Sequence, residues 1–183
     1  MRNLRSTALA ALPLVLACSA RHSADFRADR LRPGDGVASG RIHVALNGQD
    51  VTDKCQVCFE TLRNTPCVQL RTDGLVVIGL DAGPTWIYRL ACAAQGGHQY
   101  RFPDAKFTVP EAGRVYFGDV AIDWKHGAAD SQVFRKETAS DGVATMTVTA
   151  DAESVTAAYH SIVKDDTLPL TKMLIEPEEP SGG

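Results

Sequence analysis

A chain of 183 residues with 22 acidic and 19 basic side chains has a formal net charge of -3, is 44% hydrophobic and is 7% aromatic. That balance excludes nucleic-acid binding through a basic surface. The length suits one domain that buries a core of its own, and no apolar run beyond residue 17 reaches membrane-spanning length, the best being the strand-like Leu75-Val76-Val77-Ile78-Gly79-Leu80.

The chain opens with Arg2 and Arg5, then an apolar stretch from Ala8 to Ala17, then Cys18. A basic start, a short apolar run and a small residue before a cleavage point are export features, and the run is too short for a permanent spanning helix. Val15-Leu16-Ala17-Cys18 resembles the lipobox of bacterial lipoproteins: an aliphatic residue, a spacer, a small residue and Cys. The resemblance implies a signal peptide over 1–17, cleavage before Cys18 and lipidation of that thiol and amine. Two or three acyl chains then anchor the protein stably, where one would hold it only reversibly. Ser19 stands where Asp marks inner-membrane retention, which implies the outer membrane of a bacterial envelope, with its periplasmic or surface face left open. The competing reading is an ordinary secretory signal with an incidental Cys. Loss of 1–17 removes Arg2 and Arg5 and moves the formal net charge from -3 to -5.

Residues 18–39 mix arginines with aspartates and end in Pro33-Gly34-Asp35-Gly36, the composition of a flexible tether. A β-domain is expected over 40–175. Ile42, Val44 and Leu46 alternate with Arg41, His43 and Ala45, and Asn47-Gly48 follows as a tight hairpin turn. Further strands are expected over Gln56 to Leu62, Cys67 to Arg71, Leu75 to Leu80, Thr85 to Cys92, Lys106 to Val109, Arg114 to Asp123, Gln132 to Thr138 and Val143 to Ala150, punctuated by Gly- and Pro-containing turns. From Asp151 onward the period changes: Val155, Ala158, Tyr159, Ile162 and Val163 share one helical face, with Asp151 placed as N-cap. Residues 176–183, acidic and without a hydrophobe, read as a disordered tail.

The stretches Ser39 to Gly48, Val68 to Gly83 and the strand around Tyr88 are similar to the repeat logic of transthyretin-like domains, also called prealbumin-like or carboxypeptidase-regulatory-like. Phe107 to Trp124 resembles a pattern in uncharacterised bacterial lipoproteins. The resemblance implies a mainly β fold, a seven- to nine-stranded antiparallel β-sandwich with one C-terminal amphipathic helix. It specifies fold rather than activity.

Beside Cys18 stand Cys55, Cys58, Cys67 and Cys92. An even number in an exported chain favours disulfides. Of the three possible pairings the preferred one joins Cys58 to Cys67 across the turn containing Asn64-Thr65-Pro66, leaving Cys55 for Cys92. Cys55-Gln56-Val57-Cys58 also raises a thiol-redox or metal-binding alternative. His43, His98, His126 and His160 show no metal-ligand spacing, and Ser154 and Ser161 near His160 lack a nucleophile elbow. Asp119, Asp123 and Asp130 lack calcium-loop density and read as solvent-facing. Trp86, Tyr88, Tyr116, Phe117 and Trp124 suit either a ligand groove or core packing. No catalytic residue, metal ligand or cofactor is assigned. The expectation is a membrane-tethered, non-enzymatic binding or scaffolding module that meets an envelope protein through strand edges or loops.

Overall fold

The computed structural model describes residues 21–22, 26–93, 98–101, 105–125, 143–164, 166 and 168–176. The signal peptide expected over 1–17, Cys18, the strand expected over 132–138, His126, Asp130 and, of the tail expected over 176–183, all but Glu176 lie outside them. Among the described residues the chain is mainly β, with two six-stranded sheets and one helix.

The first sheet contains β1 (Arg21–His22), β4 (Cys55–Glu60), β5 (Cys67–Gln69), β7 (Gly83–Cys92), β8 (His98–Arg101) and β9 (Lys106–Val109). Its order is β1, β5, β4, β7, and β7 then pairs β9 through its first half and β8 through its second. The second sheet contains β2 (Gly36–Leu46), β3 (Gln49–Asp50), β6 (Leu75–Leu80), β10 (Arg114–Lys125), β11 (Val143–Thr149) and β12 (Thr171–Lys172). At its centre β2 and β10 run parallel. With β1 on β5 and β12 on β10 also parallel, the ladder departs from the wholly antiparallel order expected. Four of the described strands are not among those expected: β1, β3 and β12, which at two residues are too short to leave a period in the sequence, and β8.

Alternation explains the core. On β2, Ala38, Ile42, Val44 and Leu46 face inward, and on β4 Cys55, Val57 and Phe59 do the same. The rings of Phe59 and Phe107 from the first sheet meet Phe117 from the second, with centroids 5.4 to 6.3 Å apart. Phe117 needs room on β2: a Cβ on Gly40 would lie 2.4 Å from its ring, so only glycine fits there. Between Tyr116 and Asp119 the β10 register slips by one residue. Gly118, at φ +114°, absorbs that bulge, so that Phe117 and Val120 both point into the core although they are three apart.

The outer face of the second sheet is covered. α1 (Ala152–Ile162) lays Val155, Tyr159 and Val163 toward it, and a second apolar cluster joins Val37, Leu75 and Val77 to Tyr159 and Val163. β6 is therefore apolar on both sides, Val76 and Ile78 inward and Leu75 and Val77 toward the helix. Phe26 and Leu31 pack against the same cluster, and β2 starts at Gly36. The folded body thus reaches into the span expected as tether, because the first half of β2 is paired on both edges, by β6 and β10. The Asn47-Gly48 hairpin takes the positive φ values the turn requires, 51° and 80°.

Two disulfides cross neighbouring strands of the first sheet: Cys55 to Cys92 between β4 and β7, and Cys58 to Cys67 between β4 and β5. Their sequence separations are 37 and 9. In the chain-entropy account of cross-linking, these loops stabilise by about 4 and about 2.5 kcal/mol respectively. Replacing Cys55 and Cys92 together by Ala is expected to lower the unfolding free energy more than replacing Cys58 and Cys67, as read by urea denaturation; the reverse order would contradict a loop-length origin.

Candidate functional site

Strand geometry decides what Cys55-Gln56-Val57-Cys58 can do. Residues three apart on an extended strand point to opposite faces. Cys55 is therefore in the inter-sheet core with Val57 and Phe59, whereas Cys58 lies on the outer face, buried beneath its bridge to Cys67 and within 3.5 Å of the Arg89 guanidinium. Each cysteine is bonded to a different strand, and the two sulfurs do not share a partner.

The aromatic candidates divide. Tyr116, Phe117 and Trp124 are buried, while Trp86 and Tyr88 on β7 are half-buried. Phe117 and Trp124 belong to the inter-sheet core, and the Tyr116 hydroxyl accepts a hydrogen bond from the Asp151 backbone at 2.7 Å, tying β10 to the start of α1.

Polar groups that the sequence pattern did not reveal hold both ends of α1 on the sheet. At its start, Asp151 caps the Ser154 N–H, and Arg41 from β2 donates to the Ser154 hydroxyl. Asp119, expected to face solvent, is instead partly covered beside Tyr116, with Oδ1 buried and unpaired among the described residues. Burial is the largest influence on it and raises its carboxyl above the ordinary range; the Arg41 charge opposes this and Asp151 adds to it. At the far end, Asp166 accepts from both Arg114 and Tyr159. Burial alone would raise Asp166, but these two donors outweigh it and hold the carboxylate below its usual range. Burial and the hydrogen bond to Asp166 push the Tyr159 phenol well above its usual value. No periodicity marks such pairs, because Arg41 and Ser154, or Arg114 and Asp166, meet only once the fold is complete.

Among the described residues, the serines singled out in the sequence are held in separate local contacts. The Ser154 hydroxyl is held by Arg41 and by the Asp151 carbonyl, and Ser161 donates to Ala158. His43, Asp123 and His160 are exposed, and among the described residues no three His, Cys, Asp or Glu side chains converge as a metal site. Two surface features stand out among the described residues. β11 pairs only with β10 among the described residues, and its Val-Ala-Thr-Met-Thr-Val-Thr sequence has neither the charge nor the proline that blunts an edge.

The second surface is the turn from Thr61 to Pro66, which the Cys58–Cys67 bridge closes at its base. Inside it, Thr61 Oγ1 donates to Asp81 at 2.7 Å, the Asn64 N–H returns to Thr61 Oγ1 at 3.1 Å, and the Thr61 N–H donates to the Asn64 carbonyl at 2.9 Å. The strand expected to run to Leu62 ends at Glu60, which leaves Leu62 exposed on this turn. Its one sequence signal is an apolar residue beyond the last inward-facing position and close before Pro66. The chain matches no known protein-family model, no curated protein and no solved structure.

The two carboxylates carry opposite pH signatures. A depressed carboxyl adds stability above the ordinary carboxylate value of 3.8 and loses it as pH falls through its own lower value, which is the case of Asp166. A raised carboxyl binds its proton more tightly folded than unfolded, so Asp119 costs stability as pH rises from 3.8 through its elevated value, and the cost persists above. Asp119→Asn is expected to raise the melting temperature at about pH 7 and to leave it unchanged at about pH 3. Asp166→Asn is expected to lower it at pH 7, by less as the pH drops. Thermal melts across this range check both, and equal behaviour of the two variants would contradict the assignment.

Proposed function

We propose that the chain is an exported bacterial lipoprotein, anchored through Cys18 to the outer membrane, whose β-sandwich of transthyretin-like type is a non-enzymatic module for binding or scaffolding an envelope protein. The observation that carries the reading is the lipobox-like Val15-Leu16-Ala17-Cys18 ahead of a domain with two cross-strand disulfides. Such bonds persist in oxidising compartments, which the envelope provides. The β11 edge, which pairs only with β10 among the described residues, supports binding by strand addition, in which an extended partner segment supplies the next ladder of backbone hydrogen bonds.

The test is metabolic labelling with an alkyne-bearing fatty acid in a Gram-negative host, followed by membrane fractionation. The unsubstituted chain is expected to take up label and sediment with the outer membrane. Cys18→Ser is expected to lose essentially all label and to leave the outer-membrane fraction. An unlabelled chain that is soluble with or without the substitution would overturn the anchored reading.

A further inference from the structure

The start of β1, three residues after Cys18, and the stapled turn lie at the same end of the first sheet. β1 pairs in parallel with β5, Arg21 opposite Val68 and His22 opposite Gln69. β5 runs away from the turn Thr61–Pro66, starting at Cys67, so a parallel β1 is entered from the turn's end. Cys18 precedes Arg21 by three residues, and three residues span at most about 11 Å even fully extended. Whatever path they take, a lipidated Cys18 holds this end of the sandwich close to the bilayer.

The surface found there suits that neighbour. Leu62 is 71% exposed, more than the other exposed large hydrophobics among the described residues, Leu168 at 46% and Met173 at 36%. Beside it the Arg63 side chain is 68% exposed, with one guanidinium nitrogen 3.8 Å from Asp81. An apolar side chain that enters the boundary of headgroups and acyl chains, next to a guanidinium that meets phosphate, is the pairing interfacial anchors use. The bridge at Cys58–Cys67 and the Thr61–Asp81–Asn64 hydrogen bonds hold the turn in shape before it meets the membrane, so little ordering entropy opposes the contact.

We propose that the turn Thr61–Pro66 is a membrane-contact surface: Leu62 inserts into the leaflet that holds the acylated Cys18, Arg63 faces its headgroup phosphates, and the sandwich stands with this end down. The proposal rests on the lipoprotein reading above. It leaves the opposite end of the first sheet, around Asp53 and Lys54, directed away from the bilayer, and both side chains there are exposed.

The experiment uses the full chain processed in a Gram-negative host and reconstituted into vesicles of phosphatidylethanolamine and phosphatidylglycerol whose acyl chains carry bromine near the carbonyl. Leu62→Trp and Lys54→Trp place an indole at the two ends, each read against the unsubstituted chain, whose Trp86 and Trp124 set the background. Emission from the Leu62→Trp chain is expected to be quenched at least twofold more than that from the Lys54→Trp chain, and to shift to shorter wavelength on reconstitution. Equal quenching, or stronger quenching of Lys54→Trp, with acyl mass present on Cys18, would overturn the contact while leaving the anchor intact. Absence of acyl mass on Cys18 would overturn the anchor and the contact together. Because Leu62 is exposed, the substitution leaves the core untouched, and circular dichroism of the variant confirms its fold.

Discussion

Side-chain alternation along β4 is the constraint on which the first sheet depends. One face of this strand sends Cys55, Val57 and Phe59 into the space between the sheets, and the other sends Cys58 outward. The two cysteines, three apart, lie on opposite faces, and the register sets the inner one opposite Cys92 on β7 and the outer one opposite Cys67 on β5. β4 is covalently tied to both neighbours from opposite faces. The same geometry fixes the turn Thr61–Pro66 at its base and sets the strand β5 with which β1 pairs.

The second sheet solves a different problem. Its central pair, β2 and β10, is long and parallel, and a sheet with apolar residues on both faces needs cover on the side away from the first sheet. α1 supplies most of that cover, with Phe26 and Leu31 beside it. The helix has only a narrow apolar face, and its ends are held by Arg41 and Asp151 at one terminus and by the Arg114, Asp166 and Tyr159 cluster at the other. These ionisable groups fix a helix in place, and their shifted titration has its causes in burial and in the neighbouring Arg41, Asp151, Arg114 and Tyr159.

Much of the first-order architecture was legible from local pattern. Leu75–Leu80 and Lys106–Val109 coincide with strands at both ends, the Asn47-Gly48 turn has the φ values its residues suit, and Asp151 caps α1. Less was legible where a residue's place depends on distant chain. Val37 and Ala38 follow a Pro- and Gly-rich stretch and look like linker, yet β6 and β10 flank them and both are fully buried. Parallel pairing of β2 with β10 leaves no trace in either segment, since period-two alternation is the same for both directions. Phe26 and Leu31 stand among charges without periodicity and find partners only on the finished sheet. The turn at Leu62 escaped for the opposite reason: apolar continuity with β4 suggested more strand, whereas the chain breaks after Glu60 to reach Cys67.

The most direct measurement is a disulfide map of the purified full chain: free thiols alkylated first, then proteolysis without reduction and mass spectrometry of the linked peptides. A β4 strand bridged from its two faces gives Cys55–Cys92 and Cys58–Cys67 and no alkylated thiol among the four. A Cys55–Cys58 link, or free thiols at both positions, contradicts that strand geometry and makes Cys55-Gln56-Val57-Cys58 a reactive dithiol rather than the double staple of the first sheet.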